Sequence, residues 1–295
     1  MLDLTEKEFE KIVEIMYKAT GVFLRSTKKN LIINRLRTRL ADLKLNSFSA
    51  YIALLEKNST DEINIFINQI TTNETYFFRH ALQFNFLHDV ILPDLKEKYT
   101  HQSIRIWSAA CSSGEEPYSI AILCKEFLKN NINISNDYIP NIEIIGSDIN
   151  SEVIVEAMEA HYGEKSLRET PESIIAKYFI EKKIPIHKSS KPQNTASSIN
   201  SINPISIRYY LNSEIKKSVK FIAHNLLNEF AQKSFDVIFL RNVLIYFDSY
   251  SKKRVLSNLY AKINNGGYLI LGLSEGLNDT DLKFKFIHSG IYKKE

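Results

Sequence analysis

Four short polar segments, each following an apolar run, carry residues able to hold a small molecule. The run Ile104–Trp107 leads into Ser108-Ala109-Ala110-Cys111-Ser112-Ser113-Gly114-Glu115-Glu116-Pro117. These side chains are small enough for a ligand to approach the backbone, and Gly114 permits a tight turn. The segment is neither G-x-G-x-x-G nor a phosphate loop with its lysine. Glu115 and Glu116 would repel a phosphate but suit a ligand bearing an ammonium or sulfonium. This argues against NAD and ATP and for S-adenosylmethionine (SAM). The run Ile142–Ile145 is followed by Asp148, which can accept hydrogen bonds from both hydroxyls of a ribose. Val219–Ala223 leads to His224-Asn225-Leu226-Leu227, where an amide can read an adenine edge. Phe235–Leu240 leads to Arg241-Asn242-Val243-Leu244-Ile245-Tyr246-Phe247. Asp148 alone would serve equally well as a cap or turn residue. The weight lies in the four segments falling in order along one edge of one sheet.

Plainer readings apply to several of these residues. Cys111 could be a nucleophile, but a thiol among small residues at a strand end is read as close packing. His80, His224 and His288 have no evident partner in the sequence and read as structural. Tyr246, Phe247 and Trp107, taken alone, read as core aromatics.

The elements that must position these residues can be read from periodicity. After residue 100, apolar runs of strand length alternate with helical stretches at Tyr118–Leu128, Ser151–Ala160 and Lys252–Ile263. The run Phe235–Leu240 is nearly all apolar, as a strand buried on both faces should be. Gly266 and Gly267 precede a further strand, Tyr268–Leu273. The pattern predicts an α/β fold: a doubly wound, mostly parallel sheet with helices on both faces. Lys285–Ile287 and Ile291–Lys293, joined by His288-Ser289-Gly290, predict a terminal antiparallel hairpin. Before residue 80 the apolar spacing is helical throughout. Phe9, Ile12, Val13 and Met16 mark one helix, and Leu31, Ile32, Leu36, Leu40 and Leu43 a second. Tyr51, Leu54 and Leu55 follow Ser47 as N-cap, and Ile63, Phe66, Ile67 and Ile70 follow Asp61. Residues 1–80 are therefore expected to form a small all-α domain, and 81–295 the α/β domain. Residues 183–206, rich in Ser, Asn, Pro and Lys, read as an exposed, mobile insertion, with the inserted subdomain or loop spanning 183–218. No internal repeat is evident.

The 295 residues, 44% hydrophobic and 24% charged, have an ordinary globular composition. No run approaches the ~18 apolar residues of a membrane span. The start, with Asp3 and four glutamates before any sustained apolar stretch, does not read as a secretory signal. Two cysteines without metal-ligand spacing suggest reduced thiols and a cytoplasmic location, with no metal. A net charge of +4 does not by itself imply a nucleic-acid partner.

At these residues the sequence resembles the CheR family of chemoreceptor glutamate methyltransferases. The resemblance is carried by TTNETYFFR (71–79), SAACSSGEEPYSIA (108–121), GSDIN (146–150), AHNLL (223–227), RNVLIYF (241–247) and GGYLILGLSE (266–275), and spans nearly the whole chain. It implies a Rossmann-like SAM-methyltransferase domain behind a helical docking domain. SAM would be the donor, S-adenosylhomocysteine the product, and glutamates in the helical cytoplasmic region of methyl-accepting chemoreceptors the acceptors, with no membrane insertion and the enzyme a monomer. By position it implies that Asn73, Thr75, Arg79, Glu115, Glu116, Asp148, Asn225, Leu226, Asn242 and Val243 surround the cofactor, with Tyr246 near the transferred methyl. Arg79 and Tyr246 are the expected catalytic pair. The other readings are a methyltransferase of the same fold acting on another protein or a small carboxylate, and a SAM-binding sensor without transfer activity. The intact Arg79 and Tyr246 argue against the sensor.

Between Arg25 and Lys44 seven basic residues stand against Asp42 alone. Lys28, Arg35 and Arg39 fall along one side of a helix, with Arg37 on its other flank. This face is expected to dock the acidic helices that the resemblance implies as substrate. Some members of the family grip a receptor tail peptide by strand addition near a glycine-rich loop. Residues 183–218 contain no glycine, so tail binding is not expected here.

Overall fold

The computed structural model describes residues 3–57, 60–99, 102–130, 140–185, 205–277 and 280–295. Four helices form the N-terminal domain: α1 (Glu6–Thr20), α2 (Lys29–Asp42), α3 (Phe48–Glu56) and α4 (Thr60–Ile70). α1 opens on a capping box between Thr5 and Glu8 and closes on Gly21 in the left-handed conformation. Ser47 caps α3, accepting from the Ala50 amide as the sequence predicts. The apolar stripes of all four helices meet in one core that includes Ile12, Met16, Leu36, Leu40, Tyr51 and Phe66.

Three further short segments, not anticipated from periodicity, follow: α5 (Ala81–Phe86), a π-helical turn (Leu87–Ile91) and α6 (Leu92–Lys98). The wider turn shifts the apolar spacing away from the 3.6-residue pattern. Ile70 is the last residue in the helical core, whereas Phe77 and Phe78 are buried in the core of the second domain.

That domain is built on β1 (Ile104–Ala109), α7 (Glu115–Asn130), β2 (Ile142–Asp148), α8 (Ser151–Glu159), β3 (His161–Tyr162), α9 (Glu172–Tyr178), β4 (Phe179–Pro185), β5 (Ile205–Leu211), α10 (Ser213–Lys217), β6 (Val219–Ala223), β7 (Phe235–Leu240), α11 (Ser249–Lys262), β8 (Ile263–Leu271), β9 (Phe284–His288) and β10 (Ile291–Lys294). The main sheet runs β6-β2-β1-β7-β8-β10-β9. Its first five strands are mutually parallel, and β10 lies antiparallel to both β8 and β9. Alternate side chains divide between two cores. Ile106, Val237, Phe239 and Ile270 face α5–α7, while Trp107, Ile238, Leu240 and Leu269 face α11. From β1 the chain steps outward to β2 and β6, then returns to β7 on the other side of β1. The switch point therefore lies between β1 and β7, where open sheets of this kind bind ligands beyond their carboxyl ends.

The flanks of the expected insertion are strands. β4 and β5 pair antiparallel and, with β3, make a small sheet in which β4 is an edge whose residues 180–185 are exposed. Of the stretch 183–206 read as mobile, residues 186–204 lie outside the described residues.

Candidate active site

The loops after β1, β2, β6 and β7 meet the linker 71–79 and the end of α1 around one cavity of about 450 Å³. This lies within the ~300–1,000 Å³ typical of small-molecule sites. Its walls include Asn73, Thr75, Arg79, Glu116, Asp148, Asn225, Leu226, Asn242, Val243 and Tyr246, residues distant in sequence that the topology brings together. Lys28 also reaches it.

Backbone strain concentrates at these walls. Ala110, Ser112 and Asn242 on the walls, and Phe78 and His80 on either side of the wall residue Arg79, all have φ between 50° and 61° without being glycine. Such conformations persist only where surrounding contacts over-determine them, and those contacts are visible. Asp148, 7% exposed, accepts from the Ser112 amide and the Asn150 amide, each at 2.9 Å. Burial raises its pKa, and the amides work in the opposite direction. Each carboxylate oxygen retains acceptor capacity at the cavity wall, as a ribose would require. Glu275 accepts from the amides of Asn242 (2.8 Å), Leu244 (2.7 Å) and Gly272 (2.8 Å), pinning the loop that carries Tyr246 to the end of β8.

The two glutamates of the first loop part company. Glu116 lines the cavity but is neutralised by Arg241 at 2.9 Å, and also accepts from Ser108 Oγ at 2.7 Å. Glu115, expected at the cofactor, does not line the cavity. It points into the protein, 2% exposed, where it accepts from Ser113 Oγ (2.7 Å) and Ser166 Oγ (3.0 Å), and burial raises its pKa. Two adjacent residues opening a helix point in directions about 100° apart, so only one of them could face the ligand. The uncompensated negative charge on the cofactor side is therefore that of Asp148.

Arg241 is the residue that sequence reasoning passed over. Besides Glu116, its guanidinium donates to the carbonyl of Arg79 and to Nδ1 of His80 (3.1 Å). One buried fork thus joins the cofactor-side carboxylate to the strained turn that presents Arg79. His80, read as structural, is the acceptor in this network. Burial, and then the charge of Arg241, lower its pKa and keep it neutral. An arginine directly after a nearly all apolar strand was the available signal, since a buried cation needs a carboxylate.

Arg79 lines the cavity with a buried Nε that has no hydrogen-bond partner, while Nη1 donates to the Glu74 carbonyl at 3.1 Å. His224, tilted against Phe230 at 4.5 Å between ring centres, likewise brings an unpartnered buried Nε2 to this region. These orphaned donors and acceptors, the acceptor capacity of Asp148 and the volume fit a nucleoside-bearing ligand with a charged amino-acid tail. Asn225 lines the cavity, but its amide donates to the Ala19 carbonyl at 2.8 Å and so ties the end of α1 to the loop after β6. Cys111 packs against Gly146, and burial holds its thiol well above the usual range, in keeping with the close-packing reading. Among the described residues no cluster of His, Cys, Asp and Glu could hold a metal ion.

The basic face expected on α2 is largely engaged within the domain. Arg39 pairs with Glu62, which also accepts from Tyr51 at 2.8 Å. Arg35 donates to the carbonyls of Ile70 and Thr71 and so caps α4. Arg37 remains exposed. Periodicity placed these residues on a helix but could not show which neighbours would claim them.

The family profile described as CheR methyltransferase, all-alpha domain, matches residues 7–71. That of the CheR methyltransferase SAM binding domain matches residues 73–293. The chain is 34% identical to the chemotaxis protein methyltransferase of Borreliella burgdorferi, over 99% of this chain and 96% of the relative. It is 33% identical to chemotaxis protein methyltransferase 2 of Vibrio cholerae (93% and 87% covered), and 30% identical to the chemotaxis protein methyltransferase of Escherichia coli (99% and 92%).

Proposed function

We propose that this chain, which belongs to the CheR methyltransferase family, esterifies glutamate side chains in the helical cytoplasmic region of chemoreceptors, acting as a cytoplasmic monomer. It is a SAM-dependent methyltransferase of chemotaxis. Among the described residues no helix is long and apolar enough to cross a membrane.

The observation that carries the acceptor assignment is the polarity of one cavity. Asp148 supplies negative charge where the nucleoside belongs, and Arg79 supplies positive charge without an ion pair among the described residues. When bound, SAM supplies an electrophilic methyl on a sulfonium. Asp148 would hold the ribose hydroxyls, with Asn73, Thr75, Glu116, Leu226, Asn242 and Val243 along its length. Transfer to an acceptor carboxylate oxygen would exchange the carbon–sulfur bond of SAM for the carbon–oxygen bond of a methyl ester and release S-adenosylhomocysteine. A glutamate with pKa ~4.3 is already ionised at neutral pH, so no strong base is needed. Catalysis then rests on orientation, worth up to ~7–11 kcal/mol in favourable cases. The planar fork of Arg79 can hold a carboxylate at two points. The ring of Tyr246 can face the sulfonium, a contact of ~0.5–2 kcal/mol.

The test is incubation with methyl-labelled SAM and a purified receptor cytoplasmic fragment. Base-labile label on the fragment is expected, and base-stable label or none would overturn the acceptor assignment. Asp148→Ala should weaken S-adenosylhomocysteine binding by ~1.5–3 kcal/mol, the value of a charged hydrogen bond. Unchanged affinity by calorimetry would remove its ribose role.

A further inference from the structure

We infer that the acceptor segment docks on a rim formed by Phe23, Arg25, Lys28 and Ile245 at the mouth of the cavity, and that it is an acidic helix carrying an apolar side chain one turn from the reactive glutamate. This rests on the acceptor reading above. It moves the docking surface from α2 to the segment between α1 and α2, together with the loop after β7.

All four residues line the same cavity as Tyr246. Phe23 is 53% exposed and Ile245 48%. Single exposed apolar residues are ordinary. These two, however, are held together at a reactive opening. The Phe23 amide donates to the Tyr246 carbonyl at 2.9 Å, and Val22 bridges Phe247. Val22, packed against both the helical core and the α11-side core of the sheet, anchors this crossing. The fold therefore does not need an aromatic at the neighbouring, outward position 23.

The charges agree. Lys29 pairs with Glu6, Arg39 with Glu62, and Arg35 binds backbone carbonyls. Arg25 and Lys28 are exposed and make no ion pair among the described residues. Glu74, the acid on the same wall, pairs with Arg168 at 3.6 Å. The net charge left at the mouth is positive, complementary to an acidic segment. On a helix, residues three and four apart share a face. A glutamate directed at Arg79 thus brings an apolar neighbour one turn away to Phe23 and Ile245, and acids on the flank to Arg25 and Lys28.

Steady-state methylation of a receptor cytoplasmic fragment at saturating SAM tests this. Combined Phe23→Ser and Ile245→Ser should raise KM for the fragment at least tenfold, with kcat falling much less. Combined Arg25→Glu and Lys28→Glu should raise KM similarly and flatten its rise with salt. In the fragment, replacing the apolar residue one turn from the glutamate by Asp should raise KM for the parent enzyme, but add little in the Phe23→Ser/Ile245→Ser variant. Labelled fragment with unchanged KM in both variants, or fully additive effects of the enzyme and fragment changes, would overturn the docking rim and leave the acceptor reading intact. No ester on the fragment with the parent enzyme would overturn both.

Discussion

Replacing Tyr246 by Phe separates two ways a tyrosine can serve this reaction. If the ring face stabilises the sulfonium, Tyr246→Phe keeps kcat within a few-fold and Tyr246→Ala loses far more. If the hydroxyl bonds the acceptor or cofactor, both variants are damaged alike. Single-turnover rates at saturating SAM decide between them, and the ring is the expected answer. On the same measurement Arg79→Ala should fall ~10²-fold or more, because the carboxylate loses its two-point hold. Near-normal turnover would remove that role. Glu115 sits one residue from the cofactor wall, yet its predicted behaviour is entirely structural. Its folded pKa is raised, so the folded state binds more protons than the unfolded state above the unfolded value. Stability is therefore lost as pH rises from the ordinary glutamate range through the folded pKa. Glu115→Gln imitates the protonated form. It should hold S-adenosylhomocysteine affinity within about twofold of the parent, as expected for a side chain outside the cavity, and melt no lower than the parent at pH 8. A tenfold loss of affinity would return Glu115 to the cofactor.

In the helical domain, Arg39 on α2, Tyr51 on α3 and Glu62 on α4 converge in a largely buried cluster. Burial pushes the Glu62 carboxyl up, but the hydrogen bonds from Arg39 and Tyr51 and the charge of Arg39 outweigh it, leaving the pKa lowered. The stability from this group is present above the unfolded carboxyl value and is lost as pH falls through the folded one. Arg39→Gln leaves the carboxylate without its counter-ion, which for buried pairs costs ~3 kcal/mol. Thermal melts should show a clear fall in Tm at pH 7 that narrows at pH values where Glu62 is protonated in both states. A normal Tm with a raised receptor KM would instead return Arg39 to a docking role. Arg35 acts on its element in a different way. By capping α4 it fixes where the chain leaves the bundle, and Asn73, three residues after Ile70, accepts from Ser112 Oγ at 2.8 Å beside the Asp148 loop.

Across the whole molecule, the cavity has walls from both domains: Met16, Thr20 and Ile70 from the helices, and the four strand-end loops from the sheet. Asn68 and Asn150 tie α4 to the start of α8, and Tyr17 donates to Asp248 at the start of α11. A ligand bound there stabilises only the docked arrangement, by RT ln(1 + [L]/Kd), about 2.7 kcal/mol at a hundredfold excess over Kd. Calorimetry with S-adenosylhomocysteine should therefore show one transition moving upward as a unit. Two transitions, of which only the later-sequence domain responds, would mean that the helical domain takes no part in the site.

Periodicity and chain order alone determined the helical bundle, the parallel sheet, the terminal hairpin and the edge on which the site lies. These follow from repeating apolar spacing and from strand–helix alternation, which a linear sequence records directly. Asp148 was legible because it ends its strand and must emerge at the carboxyl edge, whereas the roles of Asn242 and Tyr246 rested on the resemblance, since a tyrosine six residues past β7 reads by itself as a core aromatic. Direction and partnership were decided by tertiary structure. Glu115 and Glu116 are adjacent in sequence, yet one faces Ser166 inside the protein and the other Arg241 at the cavity. Arg35 and Arg39 share a face with the basic stretch, yet carbonyls at the end of α4 and the carboxylate of Glu62 claim them. Arg241 gains its role only where the end of β7 meets the turn at residues 78–80. A charged side chain takes the partner that best repays its desolvation, and those partners lie tens to more than a hundred residues away, where no local pattern records them.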